Sequence, residues 1–261
     1  MKKTEKELAF IRELAIENDW TQRFTEFFDK KIKFEDEENI LYVNAGTGNH
    51  AIALSEKLDD KTNIYAVSEN TELRKIAQVK ADAVKVDVRF GVNFPDDEST
   101  IVIADASFVR PTKLNDFIAQ IIDASSKQIV FFTPTKGSFG EIFSFLWETL
   151  LEVDLLEHGA NVERLIEEIP TAEVIVNLLK DSGLTKVTST TETELFEFEN
   201  GTEFIESPLV ADFLLPAWLD FLTEAEKEKA GKKLAELIDI DDGSLSFLFS
   251  VKNTLFSGEK S

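Results

Sequence analysis

The residues best placed by type and spacing to do chemistry lie in NAGTGNH (44–50). Gly46 and Gly48 close the apolar run ILYV, let the backbone approach a ligand, and can take positive φ. The helix that follows, starting near Asn49, offers free N–H groups to that ligand. Ser68-Glu69 ends the next apolar run roughly twenty residues on, where an acidic side chain would take ribose hydroxyls. This combination points to a nucleoside-bearing ligand; the same turn can also serve chain reversal alone. GTGNHA also fits the G-x-G-x-x-A pattern of dinucleotide folds. The first apolar run, however, ends short of Gly46, and both tyrosines, Tyr42 and Tyr65, fall inside strands, so no hydride-transfer constellation is evident.

Two further loops carry polar groups. In ADASFVRP (104–111) they are Asp105, Ser107 and Arg110; in TPTKGSFGE (133–141) they are Thr133, Lys136, Ser138 and Glu141. Against a chemical role, Asp105 could cap the next turn and Arg110 could pair with a surface acid. His50, just inside a helix, could meet a ligand carboxylate or only cap the helix end, and His158 precedes Gly159 where it meets a helix dipole.

The elements that must position these groups alternate. Helical stripes cover Glu7–Ile16 and a run beginning at Asp19 as N-cap, with Trp20, Phe24, Phe27, Phe28 and Ile32 on one side. Glu35–Asn39 is a polar break. Strands follow at 40–44, 63–68, 83–90, 99–104 and 128–132, with helices at 50–58, 70–80 and 113–123 between them. Near-continuous apolar strands alternating with helices indicate a doubly wound, mostly parallel α/β sheet with helices on both faces. Beyond it come a long helix at 137–156, where Phe139, Phe143 and Trp147 read as core, helices at 161–169 and 171–182 with Gly183 past the end, and a long strand at 184–198. Residues 203–240 are helical again, and 244–256 alternates as a seventh, final strand.

In these residues the chain resembles the class I S-adenosylmethionine-dependent methyltransferases. ILYVNAGTGNHAIAL looks like their first motif, IYAVSENTEL like the second, VNFPDDESTIVIADASF like the stretch through the fourth strand, and QIVFFTPTKG like the fifth strand and its exit. The resemblance implies a Rossmann-like sheet whose seventh strand is antiparallel. It implies methyl transfer from S-adenosylmethionine to a small-molecule acceptor. A methyltransferase-like binding scaffold without catalysis is the alternative. The cofactor residues it implies are Asn44, Ala45, Gly46, Thr47, Gly48, Ser68, Glu69, Asp87, Val88 and Asp105; Asp105, Ser107 and Arg110 are the candidates for catalysis. The chain departs from the pattern at Tyr42, in the place of the first-motif acid, at Asn44, in the place of the first glycine, and at Ser68, in the place of the ribose-binding acid. Thr100-Ile101 replaces the usual Phe-Asp. On this reading an aspartate at position 68 would strengthen adenosyl binding by about 1–3 kcal/mol.

One domain over 1–261 is expected: N-terminal helices (1–36), a core (38–200 and 243–257) and a helical insertion (201–241) interrupted at Pro216. In that insertion Phe213, Leu214, Trp218 and Phe221 are expected to bury against Trp20 and Phe24 as a roof over the cleft, or to pair two subunits as a homodimer.

Composition removes whole classes. The chain has no Cys, which excludes thiolate nucleophiles and zinc ribbons, and two His, which leaves little for a metal site, so no metal is expected. The net charge is −22. A surface so acidic repels phosphate backbones and anionic lipids, so neither nucleic acid nor a membrane is expected as partner. No apolar run approaches the ~18 residues of a membrane span, and the charged N-terminus lacks the core of a secretory signal. The expectation is a soluble, cytoplasmic protein.

Overall fold

The computed structural model describes residues 3–33, 39–58, 62–241 and 246–260. Of the expected polar break only Asn39 falls within these, and the first residues of the expected last strand lie outside them. In chain order the helices are α1 (Glu5–Ile11), α2 (Gln22–Lys31), α3 (Asn49–Lys57), α4 (Thr71–Val84), α5 (Pro111–Asp123), α6 (Gly140–Glu152), α7 (Gly159–Glu168), α8 (Ala172–Asp181), α9 (Gly201–Glu206), α10 (Leu215–Trp218) and α11 (Glu224–Asp241). The strands are β1 (Asn39–Val43), β2 (Asn63–Val67), β3 (Val88–Gly91), β4 (Ser99–Asp105), β5 (Ser125–Pro134), β6 (Thr185–Phe198) and β7 (Phe247–Glu259).

They form one seven-stranded sheet in the order β3-β2-β1-β4-β5-β7-β6. β1 pairs in parallel with β2 and β4, β2 with β3, and β4 with β5. β7 is antiparallel to its neighbours. Lys127 of β5 meets Lys260 and Thr135 meets Lys252, while Thr185 of β6 meets Glu259 and Thr191 meets Thr254. Partner numbers fall as strand numbers rise on both sides. The doubly wound, mostly parallel sheet with an antiparallel last strand is the architecture expected.

The chain divides into two compact units, where one domain is expected from the sequence. The first comprises Met1–Thr133, Ala172–Thr191 and Thr254–Ser261; the second, Pro134–Thr171 and Glu192–Asn253. The second therefore takes in α6, α7 and the ends of two long strands as well as the late helices. In the first unit, Leu41, Val43, Val102, Ala104, Ile129 and Phe131 face Leu114, Ile118 and Ile121 of α5 and Ile175 and Leu179 of α8. Alternation along each strand makes this one face, and each Val, Leu, Ile or Phe side chain in it contributes roughly 1.5–3 kcal/mol on burial. In the second unit α11 packs on α9 and α6. Trp218 there meets Phe139 and Phe143 with ring centroids 5.1 and 5.4 Å apart. Phe139 and Phe143 are core, as expected, while Trp147 is 38% exposed. Pro216 sits in the first turn of α10, directly after wider turns over Leu209–Leu214.

Two boundaries differ in ways that matter below. The expected N-cap at Asp19 does not form. Instead α1 runs through a π-helical stretch, Arg12–Thr21, into α2, and Gln22 N–H reaches the carbonyl of Glu17 five residues back. α4 continues to Val84 and closes with Lys85 at φ +62°, so β3 starts at Val88 rather than near residue 83.

Candidate functional site

β1 delivers the chain into a turn whose Asn44, Gly46 and Gly48 have φ of +56°, +55° and +85°. Hydrogen bonds draw the carboxyl ends of four strands to it. Ala45 N–H donates to Val67 O at 2.9 Å and Asn44 Nδ2 to Asp105 O at 2.9 Å. Ser68 N–H donates to Gly91 O at 3.0 Å, and the Ser68 hydroxyl to Gly46 O at 2.9 Å. Gly46 N–H donates to Glu69 Oε2 at 3.1 Å. Gly48 has a packing reason of its own. A Cβ there would stand 2.8 Å from the Phe90 ring and 2.9 Å from Ala77 Cβ.

Of the residues proposed from sequence, Asn44, Ala45, Gly46, Thr47, Gly48, Ser68, Glu69, Asp105 and Ser107 thus lie around one strand-end cleft. Asp87 and Val88 do not. Val88 opens β3 opposite Ile64, whereas Gly91 is the residue beside Val67 and Ser68 at the cleft. The longer α4 moves the strand along the sequence and with it the residue at its carboxyl end. Arg110 is exposed at the N-terminus of α5. Thr133 donates to Ala106 O at 3.3 Å. The remaining polar groups of the second loop are committed to holding their own unit together. Lys136 donates to Ile166 O, Ser138 to Thr135 O, and Glu141 accepts from Ser250.

No motif or spacing announces what occupies the cleft. The Arg12 guanidinium lies within 3.2 Å of Glu17, 3.7 Å of Glu69 and 3.8 Å of Asp105, and sits 4.5 Å above the Phe108 ring. Arg12, Glu17 and Asp105 are at most 5% exposed. Gly46 is bare because of them: a Cβ on it would be 2.7 Å from Glu17 Oε1. Burial pushes Glu17 up to about 7 and Asp105 up to about 6, each only partly offset by Arg12. Asp105 also accepts from Ser107 N–H at 2.7 Å, and Ser107 Oγ accepts from Trp20 Nε1 at 2.9 Å. Trp20 packs on Phe24 and Phe108. Glu13 takes the Thr47 hydroxyl and Lys80. The N-terminal segment is therefore tied to the strand ends by Glu13 at Thr47, Arg12 at Glu69 and Asp105, and Trp20 at Ser107. With that segment in place, the space above Gly46 is filled by the Glu17 and Arg12 side chains.

Beneath the turn, Tyr42, in place of an acid, bonds His50 Nδ1 at 2.9 Å, and His50 Nε2 bonds Asp29 at 3.1 Å. Asp29, bonded by His50 and Lys57, is held down at about 2, so it is ionised and can only accept. That assigns the proton to Nε2 and makes Tyr42 the donor to Nδ1. His50 is 7% exposed and neutral, its pKa lowered by burial. A recess of about 220 Å³ opens beside it, with Glu17, Glu26, Asp29 and Asn49 among its walls. Among the described residues no group of three or more His, Asp or Glu could hold a metal ion, and no helix is long and apolar enough to cross a membrane.

No family model matches the chain, and no curated protein matches it significantly in sequence. Solved structures do match it in shape. A Thiobacillus denitrificans SAM-dependent methyltransferase in complex with S-adenosyl-L-homocysteine superposes at a TM-score of 0.56 and 11% identity, over 100% of both chains. The Haemonchus contortus phosphoethanolamine N-methyltransferase 2, in complex with phosphomonomethylethanolamine and S-adenosylhomocysteine, gives 0.56 and 12% identity over 98% of this chain and 58% of its own. The [4+2]-cyclase SpnF gives 0.51 and 15% over 93% and 82%. With the strand order β3-β2-β1-β4-β5-β7-β6 and β7 antiparallel, the chain has the fold of the class I S-adenosylmethionine-dependent methyltransferases.

Proposed function

We propose that this protein is an S-adenosylmethionine-dependent methyltransferase for a small-molecule acceptor, here in a closed state. The observation that carries the reading is the cleft at the strand ends, where the Asn44–Gly48 turn, Glu69 and Asp105 converge. In an open parallel sheet that is the position of the ligand. Neighbours of this fold are methyltransferases with small acceptors, phosphomonomethylethanolamine among them. An adenosyl ligand requires the N-terminal segment to withdraw. Once it has, Asn44, Gly46, Thr47, Ser68 and Glu69 would line its site. Asp105, close to neutrality in its pKa, is the group able to exchange a proton there, with Ser107 holding its carboxyl in place. The location is cytoplasmic and the partner a small molecule rather than nucleic acid, in keeping with the charge of −22. A homodimer remains part of the proposal.

A second reading, a scaffold that binds no cofactor, is favoured by one observation: Arg12 and Glu17 fill the cleft, and the Ser68 hydroxyl is spent on Gly46 O. The cyclase neighbour illustrates that this fold does not oblige methyl transfer. Thermal melting and calorimetry with S-adenosylmethionine and S-adenosylhomocysteine separate the two. A rise in melting temperature at about 1 mM ligand supports the enzyme; no rise and no heat with either ligand leaves the scaffold.

A further inference from the structure

Three carboxylates, from Glu17, Glu69 and Asp105, converge on the one guanidinium of Arg12, at 3.2 to 3.8 Å. Two of them are almost fully buried, Glu69 is 30% exposed at its side chain, and the aromatic face of Phe108 lies against the same guanidinium. A buried cluster of this composition is stabilised by a cation in its middle, because without one its carboxyls either stay ionised at a cost or take up protons. A ligand that takes the place of Arg12 is therefore favoured when it brings positive charge with it.

The winding of the segment that carries Arg12 is what brings Arg12 and Glu17 together. Arg12 and Glu17 are five positions apart. At the ~100° per residue of an α-helix they would point about 140° apart and could not share a contact. The π-helical winding of Arg12–Thr21 sets residue i+5 over residue i and makes the pair. Rewinding those turns to α-helix would separate Arg12 from Glu17 and take Glu17 away from Gly46.

We propose that Arg12 is an internal competitor in this cleft, standing in for a cationic ligand, so that the cleft admits a ligand carrying its own positive charge and discriminates against the uncharged counterpart. Identification of that ligand as an adenosyl sulfonium rests on the function proposed above. S-adenosylmethionine and S-adenosylhomocysteine differ by the one sulfonium charge, so they are the natural pair of probes.

The test uses the full chain and two independent readouts. In calorimetric titration, wild type binds S-adenosylmethionine about tenfold more tightly than S-adenosylhomocysteine, and Arg12→Gln, freed of the competitor, gains about tenfold more for the charged ligand alone. Equal affinities in wild type, which needs no substitution to measure, overturn the proposal while leaving the adenosyl reading intact. The second readout needs no nucleoside. Millimolar methylguanidinium raises the melting temperature of Arg12→Ala and not that of wild type or of Arg12→Lys. Rescue without adenosyl binding in any form upholds the cation slot and removes the methyltransferase reading; no rescue alongside uniform adenosyl affinity sinks the slot.

Discussion

Tyr42 Oη and His50 Nδ1 lie 2.9 Å apart, and the bond runs one way: Tyr42 donates, because His50 carries its proton on Nε2 toward Asp29. Tyr42→Phe therefore leaves a buried nitrogen acceptor unpaired beneath the glycine turn. The expected loss is about 1–3 kcal/mol in urea denaturation. Nitrogen NMR of wild-type His50 should show the neutral Nε2–H tautomer at pH 7.5, its pKa lowered by burial. The Nδ1–H tautomer, or an unchanged urea midpoint for Tyr42→Phe, would contradict the assignment.

Glu17 and Asp105 have folded-state pKa values raised to about 7 and about 6, against ordinary values near 4.5 and 3.8. A carboxyl raised in this way binds more protons folded than unfolded. Its stabilising effect is complete below about pH 4 and is lost as pH rises to about 7. The groups facing this pair are Arg12 and Glu69. Glu17→Gln should flatten that part of the stability–pH curve, with a gain over wild type at pH 8 relative to pH 5 on the order of 1–3 kcal/mol. Parallel curves for the two proteins between pH 4 and 8 would refute it.

Ser68→Asp, expected from the family pattern to strengthen adenosyl binding, should instead destabilise the protein. The Ser68 side chain is fully buried and its hydroxyl donates to Gly46 O. An ionised aspartate has no proton to donate and would set a carboxylate against a carbonyl, at a cost of roughly 1–3 kcal/mol or more. Chemical denaturation reads the loss, and a variant as stable as wild type would show that the side chain has turned into the cleft.

Gly48→Ala separates packing from ligand binding. With φ at +85° and a Cβ 2.8 Å from the Phe90 ring, alanine strains the backbone and collides with β3 and α4. A fall in stability of about 2 kcal/mol or more is expected in ligand-free protein. Unchanged stability with weakened ligand binding would mean the glycine is there for the ligand instead.

The sheet was legible because its signals are local: apolar runs such as IVIAD and QIVFF, and turns such as NAGTGNH, each announce themselves within a few residues. The errors share one origin in helix length and winding. α4 runs past Lys80, where the sequence pattern puts its end, since Ala81, Asp82, Ala83 and Val84 still suit a helix, and that shift sets Val88 at the start of β3 and Gly91 at its carboxyl end. The pairing of Arg12 with Glu17 follows no i+3 or i+4 rule, and Asp19 has the type of an N-cap in the middle of continuous helix. The three carboxylates around Arg12 come from positions 17, 69 and 105, a convergence that only the fold creates.

The place of β7 in the sheet has a consequence for how the chain is made. β6 joins the sheet through β7, and β7 is the last of these seven strands to be synthesised. Until then the long β6, Thr185–Phe198, lacks its neighbour in the sheet, and Phe131 lacks the Phe256 ring that stacks on it at 5.1 Å. A nascent chain stalled before residue 247 would therefore present an unpaired strand edge and an uncovered aromatic, the kind of surface that invites aggregation. Completion of the first unit waits on the synthesis of β7, and the acidic residues of β6 and its surroundings, Glu192, Glu194, Glu197 and Glu199, would keep that edge soluble during the wait.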